Sequence, residues 1–279
     1  MKTTKNWNTD LFLLFTRNYS NRFDPVFSPV GAHRYKYLFI YQFSYHPEKP
    51  FSFNAISAVD AFKNASNGRI YNRFTMGGRV EMKHRAWYYT LNSFIQFGQN
   101  PQFKKLFAYC FQPEVRMIRQ KFTFRLGAEI LSESRPGLSS SASGDFDVLY
   151  GVAWKFMGNM NIFTRFPSDV AGKGLVNPYF FTIFSVNKEL SLRADMHLFF
   201  TQYSPGNGAS PKPSTYLGWE SDLSFRWQPV KRLEINYGFS FLKSASSMQY
   251  LPKIVDYNKT AIWSYLMASY TLNLYQPKR

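Results

Sequence analysis

The sequence predicts an all-β protein, an antiparallel transmembrane β-barrel, and three observations carry that expectation. Residues 35–45 read Y-K-Y-L-F-I-Y-Q-F-S-Y, with an aromatic ring at every odd position. Residues 217–227 read L-G-W-E-S-D-L-S-F-R-W, apolar at most odd positions and charged or small at even ones. A period of two residues gives a strand with one greasy and one polar face. The greasy face here is aromatic and the other face carries charges of both signs, which suits lipid outside and water inside. The second observation is dispersion. Hydrophobic residues make up 45% of the chain, yet mean hydropathy is −0.32. No stretch approaches the roughly 18 apolar residues of a spanning helix, whereas barrel strands leave no such block. Third, tight and long connections alternate nearly throughout, as in barrels with short turns at one rim and long loops at the other.

Read by period, about twelve strands follow in order. The first six lie near residues 6–15, 35–45, 51–62, 71–82, 85–96 and 103–112. The other six lie near residues 121–130, 176–186, 190–203, 216–228, 233–242 and 262–275. The long connections are 16–34, 63–70, 204–215 and 243–260, and the tight ones fall at 46–50, 83–84, 187–189 and 228–232. Leu266, Ala268, Tyr270, Leu272 and Leu274 form one face of the last strand, a suitable closing strand. The whole of 1–279 reads as a single barrel domain.

Composition narrows the function classes. Aromatics reach 19%, with 29 Phe and 19 Tyr, a surplus that belts at two membrane interfaces would absorb. The net charge is +17. Basic residues are scattered along the chain rather than gathered on one face or tail, which argues against nucleic acid and for an anionic surface such as lipopolysaccharide. Outer-membrane lipid and lipopolysaccharide are therefore the expected surroundings, in a bacterial outer membrane. The lone Cys110 makes no internal disulfide and reads as a small apolar strand residue. The N-terminal apolar run, Leu11–Phe15, is too short for a secretory core. The chain reads either as a mature one or as one that has lost its beginning.

Residues 131–175 are too long for a passive link. Residues 132–144 are polar and rich in Ser and Gly, whereas the stretch beginning at Phe146 is rich in rings and glycines. It should be ordered against the barrel interior or mouth, narrowing a pore and bringing Lys155, Arg165 and Lys173 near its axis.

Phe146, Leu149, Tyr150, Gly151, Lys155, Phe156, Gly158, Met160 and Phe163 form a motif that resembles the alginate export family of outer-membrane porins, in its Bacteroidetes form. Val152, Trp154 and Asn161 stand where that pattern has Thr, His and Asp. The hairpins over 175–203 and 217–242 look similar to the family's last strands. The resemblance implies a porin and a larger barrel of about eighteen strands. Several N-terminal strands would then be missing from this chain. The expected function is passive passage of anionic or polar solutes, with an acidic oligo- or polysaccharide as the implied cargo. The alternative is a structural or secretion-associated barrel without transport.

On the polar faces, the solute-contacting candidates are Arg73, Arg79, Arg125, Arg193, His197 and Arg226, with Lys155, Arg165 and Lys173 on the long connection. Glu81, Lys121, Glu129, Asp195, Glu220, Asp222 and Glu234 share those faces. A Lys or Arg facing lipid at mid-depth costs about 2–4 kcal/mol, so such residues need water or a partner. Either the arginines guide anions, or acids and bases of neighbouring strands brace one another.

Catalysis finds little support. Asp195 could orient the His197 imidazole, but no serine sits in a G-x-S-x-G setting. The histidines at 33, 46, 84 and 197 lack metal-ligand spacing, and 172–174 lacks the rest of a phosphate loop. Asp145 and Asp147 are the weak candidates for a loop Ca²⁺ site. The sequence thus predicts no cofactor, no resident metal and no enzymatic activity.

Overall fold

In the computed structural model, the residues described are 2–4, 6–15, 35–47, 50–63, 67–134, 137–148, 157–164, 166–206, 209–252 and 256–272. Fourteen strands form among them: β1 (Lys2–Thr4), β2 (Trp7–Phe15), β3 (Tyr35–Tyr45), β4 (Phe51–Lys63), β5 (Ile70–His84), β6 (Trp87–Gln99) and β7 (Lys105–Arg119). They continue as β8 (Phe122–Leu131), β9 (Ala142–Ser143), β10 (Leu175–Ser185), β11 (Leu190–Phe200), β12 (Tyr216–Val230), β13 (Leu233–Ser244) and β14 (Thr260–Tyr270). Hydrogen-bonded neighbours follow chain order from β1 to β14, except that β9 adds in parallel to β7. The fold is an all-β antiparallel meander, and no helix among the described residues is long and apolar enough to cross a membrane.

Each of the twelve expected strands is present. The seventh strand of the structure runs on through Pro113 to Arg119, where the sequence reading stopped at Gln112. Close to this proline lies Gly127 of β8, whose missing side chain leaves room for the Pro113 carbonyl and for the Tyr179 ring. The polar-face assignment of Lys121 is corrected, because Gln120 and Lys121 form the turn between β7 and β8. Gln120 has φ 53°, and the exposed Lys121 ammonium donates to the Val186 carbonyl at 2.8 Å. The end of the last expected strand, 273–275, lies outside the described residues. Links between strands alternate in length without exception from β2 to β8 and from β10 to β14, with short links at 46–50, 85–86, 120–121, 186–189 and 231–232.

The chain divides into two compact units. The first holds residues 1–83, 90–112 and 131–146. In its β4–β5 ladder, Asp60 stands opposite Arg73. On the strands of this unit the burial is inverted relative to a water-soluble sheet. Asp60, Arg73 and Gln96 are each 0% exposed, whereas Phe107 is 68% exposed and Phe39, Met76 and Ile95 are also exposed.

The second unit holds residues 84–89, 113–130 and 147–279. Here Asn177, His197, Glu220 and Asp222 are buried, while Leu126, Leu192, Leu223 and Leu266 are exposed, Leu266 to 73%. The odd positions of residues 217–227 that the sequence marked as greasy include Leu223 and Trp227 on this exposed face. Met157, Phe163, Val170, Leu175, Phe199, Leu217, Leu242 and Met248 are apolar and buried in this unit, and the Phe163 and Phe199 rings touch.

Candidate functional site

The site is the polar wall of the second unit, built where β11 and β12 carry charged or polar residues on alternate positions, with Asn177 and Tyr179 of β10 and Ser240 of β13 beside them. In the β11–β12 ladder, Asp195 stands opposite Asp222 and His197 opposite Glu220. Period two then puts all four on one face. In the neighbouring ladder Tyr179 of β10 stands opposite His197. On β13, Leu242 stands opposite Glu220 and Ser240 opposite Asp222.

The connection between β8 and β10 comes down onto this wall. The Met160 N–H donates to Glu220 Oε1 at 2.8 Å, and the Asn159 N–H donates to Asp222 Oδ2 at 3.2 Å. Asn159 Nδ2 reaches Ser240 Oγ at 3.3 Å. Gly158, at φ +78°, passes so close to the Glu220 carboxylate that a Cβ there would collide with it. The Phe163 ring packs edge-on against Phe199, with centroids 5.1 Å apart. A 3₁₀ turn at Ser168–Val170 follows, and Asp169 accepts from the Thr164 N–H at 3.0 Å. Glycine at 158 and rings at 156 and 163 were the sequence signal for this packing; the acceptors on β12 were not foreseeable from it.

A relay of amides and acids runs along the wall. Asn177 Nδ2 donates to Glu129 Oε2 at 3.1 Å, and Asn177 Oδ1 lies 3.2 Å from His197 Nδ1. His197 Nε2 is 4.0 Å from Asp222 Oδ2. The imidazole stacks near the Phe199 ring and 5.2 Å from Phe181. Tyr179 donates its hydroxyl to Glu114 at 2.9 Å.

The five predicted strand arginines are described, and each meets a carboxylate. Arg73 forks onto Asp60 at 2.7 Å in full burial, and Arg79 bonds Glu81 and Asn92. Arg125 binds Glu114, Arg193 binds Asp195 at 2.6 Å, and Arg226 binds Glu234 at 2.6 Å. Arg125 and Arg193 each lie 5.0 Å over the same ring, Phe181. Lys173 is half-buried at the end of the connection, where its carbonyl accepts from the Gln202 N–H at 2.9 Å. Lys155 and Arg165 lie outside the described residues, as do Leu149, Tyr150, Gly151 and Phe156 of the motif. Phe146, Gly158, Met160 and Phe163 are described, and Phe146 and Phe163 are buried. Asp145 braces its own loop instead, accepting from the Ser134 N–H and the Ser143 hydroxyl.

No protein-family model and no curated protein matches the sequence. The resemblance to the alginate export family therefore rests on the motif residues alone. Among solved structures, the chain is similar to a NanC porin in a rhombohedral crystal form, with TM-score 0.39 and 9% identity over 85% of this chain and 93% of that one. It is also similar to a chain from work on the mechanism of in-meso crystallization of membrane proteins, with TM-score 0.36 and 8% identity over 95% of this chain and 83% of that one.

Proposed function

We propose that the chain is a passive channel of the bacterial outer membrane for polar solutes, with residues 157–164 lying on its polar wall as a constriction. The observation that carries this reading is the inverted burial within each unit. Charged side chains such as Asp60, Arg73 and Glu220 are hidden, while Phe107, Leu126 and Leu266 are exposed. In water that arrangement leaves large apolar surface wet; against lipid it is the stable one. The alternation of short and long links agrees with it, as do strand lengths of 9 to 15 residues from β2 to β8, against the roughly 9–11 needed to span a bilayer.

Anionic solutes, an acidic oligosaccharide among them, are the preferred cargo in this reading. Arg73, Arg79, Arg125, Arg193 and Arg226 are each matched by an acid, so these five add little net field. Preference among ions then falls to the cations of the long connection: Lys155, Arg165 and Lys173.

Reconstitution in a planar bilayer with a salt gradient tests both parts. Stable conductance steps with a reversal potential favouring anions, weakened by Lys173→Glu, are expected. Cation preference would remove the anionic cargo and leave the channel. Absence of conductance from folded, inserted protein would overturn the channel and favour a structural barrel, whose ion-pair lattice would then serve the wall alone.

A further inference from the structure

We propose that Asp195, His197 and Asp222 form a binding site for a divalent transition-metal ion, set between β11 and β12 beneath the segment from Gly158 to Phe163. Each of the three offers a ligand atom, all within 4.8 Å of one another, and all three residues are buried. Ligand atoms sit about 2.0–2.2 Å from a zinc-like ion, so they stand about 3–4 Å apart around it. The 4.0 Å between His197 Nε2 and Asp222 Oδ2 already meets that spacing.

The surroundings fix how the imidazole is presented. The Asn177 amide donates to Glu129, so its oxygen is the end that faces His197 Nδ1. An amide oxygen can only accept, which puts a proton on Nδ1 and leaves the Nε2 lone pair aimed toward Asp222. Metal-bound histidines are held in this way, with the second ring nitrogen donating to a fixed acceptor. Without a cation, that lone pair faces carboxylate oxygens.

Independent evidence comes from the carboxylates. Among the described residues, Asp222 Oδ1 and Glu220 Oε2 meet no N–H donor, although Asp222 is 3% exposed and Glu220 0%; the two carboxyl groups lie within hydrogen-bonding reach of each other. A buried carboxylate oxygen left unsatisfied is costly and rare. Arg193 is engaged with Asp195, whose oxygens keep further lone pairs, and Arg125, over the same Phe181 ring, is engaged with Glu114. Four carboxyl groups, of Glu114, Asp195, Glu220 and Asp222, thus stand against two guanidiniums. A dication balances them. One imidazole with carboxylates suits Zn²⁺, Mn²⁺ or Fe²⁺, whereas Ca²⁺ asks for six to eight oxygens. The site stands on side chains of one unit and holds whether or not the chain conducts.

The test uses the full chain, purified in detergent, stripped with EDTA and given Zn²⁺ or Co²⁺ alone. Uptake of about one ion per chain is expected, with Co²⁺ giving the visible absorption of a mixed nitrogen and oxygen site. His197→Gln and Asp222→Asn should bind at least about tenfold more weakly, and Asn177→Leu, which loses the acceptor for Nδ1, about tenfold. Asp10→Asn, exposed on β2, should bind as the unaltered chain does. Wild-type protein that takes up no more metal than Asp222→Asn overturns the site. If the variants do not fold, the Co²⁺ spectrum of the wild type decides alone, and its absence overturns the site equally.

Discussion

Asp195 and Asp222 stand directly opposite each other across the β11–β12 ladder, and both carboxylates are buried. Like charges placed so oppose the pairing of their strands. Each is answered from a different direction. Arg193, two residues away on the same face, grips Asp195, while the Asn159 N–H comes from the long connection to Asp222. The wall and the connection therefore depend on each other: the strands supply acceptors, and the returning backbone supplies donors. This dependence makes the second unit open to test one contact at a time.

Glu220 anchors the connection by accepting the Met160 N–H at 2.8 Å. Glu220→Leu should cost about 1–3 kcal/mol and release the segment, because the N–H loses its partner in a buried setting. Glu220→Gln keeps a carbonyl oxygen at the same reach and should retain most of the anchoring. Limited proteolysis within 131–175 reads the difference: rapid cleavage in the leucine variant and slow cleavage in the glutamine variant. Equal cleavage of both would show that Met160 does not hold the segment.

Gly158 tests the same seam by shape. Its φ of +78° lies in the left-handed region, and an added Cβ meets the Glu220 carboxylate. Gly158→Val should destabilise by about 1–3 kcal/mol, combining backbone strain with overpacking. Where the segment acts as a constriction, the variant should also conduct more per channel. Urea unfolding in detergent measures the first effect, and single-channel recording the second.

Much of this was legible beforehand. The period of two in residues 35–45 and 217–227 identifies strands and tells which side chains share a face, because alternation survives any local error in boundaries. The ion pairs between Arg193 and Asp195 and between Arg79 and Glu81 are two residues apart on one face, so they too can be read from sequence. What alternation does not give is register between strands. Asp195 meets Asp222 because β11 and β12 pair at that offset across the connection 201–215; a shift of two residues would keep every face and dissolve the cluster. From sequence only Asp195 stood beside His197, since the neighbours found in the structure, Asn177 and Asp222, come from β10 and β12. Lys121 failed for a different reason: two residues of turn were needed between β7 and β8, and it is one of them.

The first unit offers the sharpest energetic contrast. Asp60 and Arg73 face each other across β4 and β5, with a bidentate contact of 2.7 Å and side-chain exposures of 0% and 1%. Asp60→Ala should cost about 3–5 kcal/mol, because it leaves a guanidinium in a setting without water. The double replacement Asp60→Leu with Arg73→Met should recover much of that loss, since desolvation of both ions is then avoided. Unfolding by urea at matched detergent concentration gives both values. A double variant as unstable as Asp60→Ala would mean that the pair is needed for pairing of β4 with β5 beyond its charge.

Leu223 decides whether the greasy face meets lipid. It is 48% exposed on β12, between Asp222 and Ser224 of the opposite face. In a water-soluble sheet, an exposed leucine replaced by arginine changes stability by no more than about 0.5 kcal/mol. In a bilayer at mid-depth the same change costs about 2–4 kcal/mol. Leu223→Arg should therefore fold poorly into lipid vesicles, while Leu223→Phe folds as the wild type does. Folding can be followed by tryptophan fluorescence and by resistance of the inserted strands to protease. Equal folding of the arginine variant, with the protein soluble in the absence of detergent, would remove the membrane from the account of this chain and require another partner for the exposed aromatic face.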